Sequence, residues 1–291
     1  MKPQPFELYR ARSIAEALAL TQEHGDDCLL LAGGQSLLPM LNMRLAGAAA
    51  VLDISGVTAL RGIDVQTDFI LIGALTRHVD IERSAELRQV CPLLVDAIRH
   101  VAHAAIRNRG TIGGSACLAH PSAELPGCLL ALDAQIVLAS AARGERRVGA
   151  EDFFRGVFTT ARLADEVMLR VEIPRRTPTL HWFGEHSRRQ GDFCVVGLAL
   201  HAHLLNGALV DARAVLIGMV DRPIRLRSLE GSLMHFDHTS ARGSVSQLVA
   251  GLAGVSDDLH HSAAAKRHIA TQLVLQGLEA FARRAREPQH A

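Results

Sequence analysis

The sequence predicts an α+β protein laid out in three consecutive parts, at residues 1–55, 56–178 and 179–291. Three observations predict this. Short apolar runs of strand length alternate with helical stretches near the N-terminus, the middle is rich in β-type segments, and the last third opens on alternating strands and closes on one long helix. A chain of 291 residues also exceeds the usual single-domain size, and 48% apolar with 21% charged residues is ordinary for a globular protein.

In the first part, Ser13 is placed to cap a helix that carries Ile14, Ala17, Leu18 and Leu20 and is ended by Gly25. Cys28 to Ala32 reads as a buried strand. A glycine turn follows, then a helix bearing Leu37, Leu38, Met40, Leu41 and Leu45, with Pro39 tolerated near its start. Val51 to Ile54 is the next strand, which makes a small αβαβ unit with the glycine turn at a strand-to-helix junction.

The second part begins with a strand at Ile70 to Gly73 and a turn at Leu75-Thr76. The spacing then predicts a helix across Ile81 to Leu87 and another over Leu93 to Ala105, with Leu94, Ile98, Val101 and Ala105 on one face, leading into a second glycine loop. Strands are expected at Ile136–Ala139, Arg146–Val148 and Val167–Ile173. Pro174 and Pro178 mark a boundary. The third part carries strands at Leu198–Leu204 and Ala212–Ile217 and a helix from Ala263 to about Arg284, with Asp257-Asp258 read as a helix start.

Composition excludes several classes of function. The formal net charge is +1, from 31 basic and 30 acidic side chains, so no overall field favours nucleic acid or an anionic membrane. No apolar run approaches a membrane span, and Met1 to Arg12 lacks a secretory core, so a cytoplasmic protein is expected. Five cysteines without a CxxC pair argue against a disulfide framework and against an iron–sulfur or zinc site in this chain. The only lysines, Lys2 and Lys266, have no motif around them that suggests a Schiff base. His201 with His203, and His100 with His103, share faces of their elements but lack a third ligand at metal spacing. No metal ligand and no catalytic acid, base or nucleophile is assigned.

The chemistry concentrates in Leu31-Ala32-Gly33-Gly34-Gln35-Ser36 and Thr111-Ile112-Gly113-Gly114-Ser115, about eighty residues apart. Each places a glycine pair and a hydroxyl beside a predicted element, where backbone N–H groups can close on an anion without a Cβ in the way. Together they suggest two walls of one pyrophosphate site, hence a dinucleotide-binding redox protein. Neither is GxGxxG or GxxxxGK[ST], so Rossmann and P-loop readings are disfavoured.

The ordered set Ala32-Gly33-Gly34-Gln35-Ser36-Leu37-Leu38-Pro39, Arg109-Gly110-Thr111-Ile112-Gly113-Gly114-Ser115 and Pro121-Ser122-Ala123-Glu124-Leu125-Pro126 resembles the FAD-binding medium subunit of molybdenum hydroxylases. That family includes the aerobic carbon monoxide dehydrogenase medium subunit and the flavin domain of xanthine dehydrogenase. The resemblance continues through Glu151 to Phe154, Val171 to Pro174, Arg188 to Phe193 and Ser256 to Asp258 to the closing helix, and so covers essentially the whole chain.

The resemblance implies a two-subdomain FAD-binding fold of the vanillyl-alcohol-oxidase/MurB-like type, at 1–55 and 56–178, with a C-terminal α/β domain of a small sheet and long helices at 179–291. It implies FAD against Leu31 to Ser36 and Thr111 to Ser115, with Glu124 as an acidic contact, Val101 and Met168 as apolar neighbours and Phe193 near the isoalloxazine. It further implies a molybdenum-binding large subunit, a small subunit with two [2Fe-2S] clusters, and an external electron acceptor. Two positions depart from the family: His120 stands where many relatives carry aspartate, and Gly184-Glu185-His186 where relatives often have a lysine. The alternative is a stand-alone FAD-dependent oxidase or reductase of the same fold.

Overall fold

The computed structural model describes residues 2–175, 179–205, 208–232 and 238–286; Pro178, assigned above to a boundary, lies outside them. The chain is a mixed helix-and-strand protein that divides into two compact units. One comprises Met1–Ser84, His103–Ala119 and Ala134–Pro174, the other Ala85–Ala102, His120–Asp133 and Arg175–Ala291.

In the first unit, a three-stranded parallel sheet runs in the order Glu7–Arg10, Ala50–Asp53, Cys28–Leu31. The strand Glu7–Arg10 carries no apolar pattern because it is a largely exposed edge. The helix Ile14–His24 is fixed at both ends. Glu16 N–H donates to Ser13 Oγ at 3.1 Å and Arg12 N–H to Glu16 Oε2 at 2.7 Å, and Gly25 closes the other end at φ +51°. A second, antiparallel sheet is ordered Ile63–Val65, Phe69–Gly73, Val167–Pro174, Gln135–Ser140, Gly144–Gly149. Ala17, Leu52, Leu60, Leu75 and Val167 join both sheets and the helix into one apolar core.

The expected helix Ile81 to Leu87 is two. His78–Arg83 ends at Ser84, whose ψ of 111° is extended, and Ala85–Val90 follows. The expected helix Leu93 to Ala105 is likewise replaced, by Pro92–Ile98 and a separate turn Ala104–Arg107. Winding tightens after Ile98 into bonds from His100 N–H to the Ala97 carbonyl and from Val101 N–H to the Ile98 carbonyl, and Ala102 at φ +44° ends it. Side-chain spacing persists across this break, which is why periodicity alone missed it. His100 and His103 therefore do not share a helix face.

The second unit is built on an antiparallel sheet ordered Thr179–His186, Val196–Leu205, Ala208–Ile217, Ile224–Arg225. Alternation directs Leu198, Leu200, Ala214 and Leu216 into a core with Val274, Leu278 and Phe281 of the helix Ala263–Arg286. Gly277 allows that helix close to Trp182, Leu198 and Leu200, and Gly127 allows the helix Glu124–Ala131 onto Ile217 and Val215 of the opposite face. Asp257 and Asp258 precede the long helix. Asp257 Oδ1 accepts from Ala263 N–H at 2.7 Å, and Asp258 pairs with buried Lys266 at 2.8 Å, which occupies that amine structurally.

Glu166, 1% exposed, takes two hydrogen bonds from Arg146, at 2.6 and 2.8 Å, and one from Leu163 N–H at 2.8 Å. Burial pushes its carboxyl up, but Arg146, the Leu163 N–H and the Arg143 charge outweigh burial and hold it below the ordinary glutamate value of 4.5. A group with a lowered folded value contributes stability above its unfolded value and loses it as pH falls through the folded one. Glu166→Gln is expected to cost about 2 kcal/mol at pH 7, less than a fully buried pair because Arg146 is partly exposed. In urea unfolding across a pH series, the gap between wild type and variant should close as pH drops below 4.5.

Candidate functional site

Within the first unit, the structure brings the two glycine loops together. Leu31 ends the strand Cys28–Leu31, and Ala32 to Ser36 lead into the helix Leu37–Asn42. A Cβ on Gly33 would overlap the Arg109 carbonyl and lie 3.0 Å from the Gly110 Cα, so the backbones are in contact and only glycine fits. Gly34 supplies the turn, at φ +74°. Gln35 Nε2 donates to the Gly33 carbonyl at 3.2 Å, and Ser36 stands at the N-cap without capping the helix through its hydroxyl. Among the described residues, the N–H groups of Gly33, Gly34, Gln35 and Ser36 have no acceptor in the protein. This is a cradle of donors at a strand-to-helix turn, suited to an anion.

The second loop differs from the expectation that it offers bare N–H groups. Ile112 N–H donates to the Thr76 carbonyl at 3.1 Å, Gly113 N–H to the Ala74 carbonyl at 2.9 Å, Gly114 N–H to Thr111 Oγ1 at 3.1 Å, and Ser115 N–H to the Thr111 carbonyl at 3.0 Å. These donors build the turn. Thr111, which accepts at its oxygen, keeps a hydroxyl proton to donate, and Gly114 is exposed with Ser115 half-buried beside it. A Cβ on Gly113 would sit 2.7 Å from the Ala74 carbonyl, whereas one on Gly114 would meet Thr111 Oγ1 and stand 4.0 Å from Ala32. Gly113 serves packing; Gly114 faces outward.

Met168, proposed from the sequence as an apolar site residue, is buried, with its Sδ 3.7 Å from Cys117 Sγ of the helix Ile112–Leu118. The sequence reading missed His78. It is 4% exposed, its N–H donates to the Gly110 carbonyl at 3.0 Å, and neither ring nitrogen has a hydrogen-bond partner. Burial, and secondarily the Arg107 charge, lower it to about 4 against the pull of the Thr111 backbone, so the ring that supports the loop is neutral at pH 7.

Val101, Glu124 and Phe193 belong to the second unit. Val101 is half-buried after the helix Pro92–Ile98. Glu124 is buried in the first turn of Glu124–Ala131. Burial pushes its carboxyl up to about 8; a bond from its own backbone and the His100 ring oppose this, and the Glu185 charge adds to it. Phe193 is 55% exposed, and its ring stacks on His120 with centroids 3.8 Å apart and planes 11° apart. It is a presented aromatic surface. His120, lowered by burial, accepts from Ser122 N–H at Nδ1, so the departure from aspartate puts a neutral ring there. Among the described residues, no group of three or more His, Cys, Asp or Glu is arranged to hold a metal, and no helix is long and apolar enough to cross a membrane.

Comparison with known proteins gives a consistent answer. Residues 4–176 match the family described as the FAD binding domain in molybdopterin dehydrogenase. The chain is 39% identical over 231 residues to the caffeine dehydrogenase subunit beta of Pseudomonas sp. strain CBB1, covering 79% of this chain and 78% of that one. It is 31% identical over 283 residues to the carbon monoxide dehydrogenase medium chain of Hydrogenophaga pseudoflava, covering 96% and 98%. A solved structure of carbon monoxide dehydrogenase from the same organism matches with a TM-score of 0.92 at 31% identity, over 98% of this chain and 99% of that chain.

The two glycines of the second loop are expected to separate in their effects. Gly113→Ala should destabilise the FAD-free protein by about 1–3 kcal/mol, because backbone rather than a flexible side chain must yield. Gly114→Ala should stay within about 1 kcal/mol of wild type. Chemical denaturation monitored by far-UV circular dichroism checks both.

Proposed function

Because the chain belongs to the FAD-binding family of molybdopterin dehydrogenases, and is thus an oxidoreductase subunit with FAD as its cofactor, we propose that it carries electrons from iron–sulfur clusters on a small partner to an external acceptor. The reading places the substrate-oxidising molybdenum centre on a large partner. FAD supplies a carrier that takes and gives electrons singly or in pairs. We assign the pyrophosphate to the Gly33–Ser36 cradle, with Thr111, Ile112, Gly114 and Ser115 beside it, and Leu31, Ala32, Gly113 and Met168 shaping that wall. Val101, Glu124 and Phe193 of the second unit are proposed as further FAD contacts.

The observation that carries this reading is the set of four open N–H groups in the first loop, held in place by a second loop whose own donors are consumed. The chain's work is to bind and orient; no side chain need act as nucleophile. A finer division into FAD-binding subdomains of the vanillyl-alcohol-oxidase/MurB-like type at 1–55 and 56–178 and a C-terminal domain at 179–291 is supported by each of the three larger sheets falling inside one segment. A cytoplasmic setting is supported by five cysteines that are all unpaired.

Two measurements test the proposal. Heat or acid should release FAD, not FMN, from the purified protein, and Gly114→Val should lower FAD affinity by tenfold or more while the protein stays folded. Unaltered affinity in that variant would refute the placement. Gentle purification of the tagged chain from its native host should bring down molybdenum and iron in addition to flavin. A metal-free flavoprotein that turns over a pyridine nucleotide and its own substrate at full rate would favour the stand-alone reading instead.

A further inference from the structure

Two further layers lie against the first glycine loop, and both belong to the first unit. Gly33 rests on the Arg109 carbonyl and the Gly110 Cα, and Gly110 in turn rests on the imidazole of His78. A Cβ built on Gly110 would stand 3.0 Å from both Cε1 and Nδ1 of that ring. The main chain repeats this order. Arg77 and Thr111 form an antiparallel bridge, and His78 N–H donates to the Gly110 carbonyl at 3.0 Å, so the backbone and the ring of one residue both bear on Gly110.

The ring is an expensive filler. His78 is 4% exposed, and both of its ring nitrogens are enclosed with no hydrogen-bond partner among the described residues. An apolar side chain of similar size would occupy the space without leaving a donor and an acceptor unmet, so packing alone does not account for a histidine there. What the imidazole adds is the capacity to take a proton. Nothing around it welcomes one. Arg107, from the turn Ala104–Arg107, is the charged group that acts on the ring, and it opposes a second positive charge. Glu82, on the same helix as His78, is held by Arg107 at 2.9 Å, and Asp80 is exposed and accepts from Arg77 N–H at 3.3 Å. Arg77, Arg83 and Arg109 lie at the surface and add only positive charge. The loop Ala32 to Ser36 carries no titratable side chain, and Thr111 contributes only its backbone. A protonated ring must therefore leave its place against Gly110 and reach water.

We propose that His78 is a positioning residue for the flavin pyrophosphate: the neutral ring holds Arg109 and Gly110 against Gly33, and a proton on it lets the loops part and speeds the release of FAD. The proposal rests on the reading that assigns the pyrophosphate to the Gly33–Ser36 cradle. The proton comes from solvent and no covalent bond changes. With the loops apart the hydrated ring has its ordinary value of 6.5; with them closed, burial holds it at about 4. Closure is thus fully favoured above pH 6.5, weakens as pH falls from 6.5 to 4, by up to about tenfold per unit, and loses nothing more below that.

The test uses the FAD-loaded full chain. Release of FAD on dilution is followed by flavin fluorescence from pH 7.5 to 5, with far-UV circular dichroism in parallel to show that the fold persists. In the wild type the release rate should be flat above pH 6.5 and rise roughly tenfold or more between 6.5 and 5. His78→Leu fills the space and cannot titrate, so it should match the wild-type rate at pH 7.5 and stay flat to pH 5. His78→Ala removes the support and should release FAD roughly tenfold faster at every pH. An acid-dependent rise that survives in His78→Leu, or a wild-type rate at pH 7.5 in His78→Ala, overturns the proposal and leaves the FAD reading intact. If His78→Leu fails to fold, His78→Gln, which also cannot titrate, takes its place, and a flat wild-type profile overturns the proposal without any variant. Wild-type protein that binds no FAD overturns the underlying reading instead.

Discussion

The first unit's candidate site depends on one contact, the backbone of Gly33 lying directly against the carbonyl of Arg109 and the Cα of Gly110. Any side chain at Gly33 would force the loops apart. On its other side the 110–113 segment is sewn to residues 74–78, through His78 N–H to Gly110, Ile112 N–H to Thr76, Gly113 N–H to Ala74 and an antiparallel bridge between Arg77 and Thr111. The two loops thus do different jobs, although their sequences look alike. One spends its donors on construction, and the other is left with donors to offer a ligand.

What was legible in the sequence was local. Ser13 and Gly25 bound their helix as capping chemistry requires, and the glycine turn after the Cys28 strand sits at the strand-to-helix junction. The rest was hidden for identifiable reasons. All eight residues of Glu124–Ala131 are buried, so the helix has no polar face and no amphipathic period to read. The contact between His100 and Glu185 joins positions far apart in the chain, and the isolated ring of His78 acquires meaning only when Gly110 is laid on it. That the second loop's N–H groups are already bonded is a tertiary fact, set by Ala74 and Thr76, and no motif carries it.

The treatment of sulfur suits a protein that works with electrons. All five cysteines are unpaired, and burial pushes each thiol up, which keeps it protonated and unreactive. Exposed strand faces carry their charge as arginine–carboxylate pairs, such as Arg147 with Glu172 at 2.8 Å and Arg170 with Glu145 at 3.0 Å. Burial thus withdraws the thiols from redox chemistry, and these strands carry their charge in pairs. Glu124 and Glu185 stand out against this background as interior acidic groups with no arginine ion pair among the described residues.

The interleaving of the two units has a consequence for how the chain is made. Residues 85–102 and 120–133 are synthesised between segments of the first unit, yet they belong with residues 175–291. The wholly buried helix Glu124–Ala131 therefore leaves the ribosome well before the strands Val196–Leu205 and Ala208–Ile217 that cover it. During that interval the helix has Pro92–Ile98 to pack against but not the sheet, and the non-local closure is slow. A fragment cut after the family-matched segment 4–176 would make that interval permanent. The family-matched segment ends before the strands that complete the second unit, so the boundary of the homology and the boundary of that compact unit do not coincide.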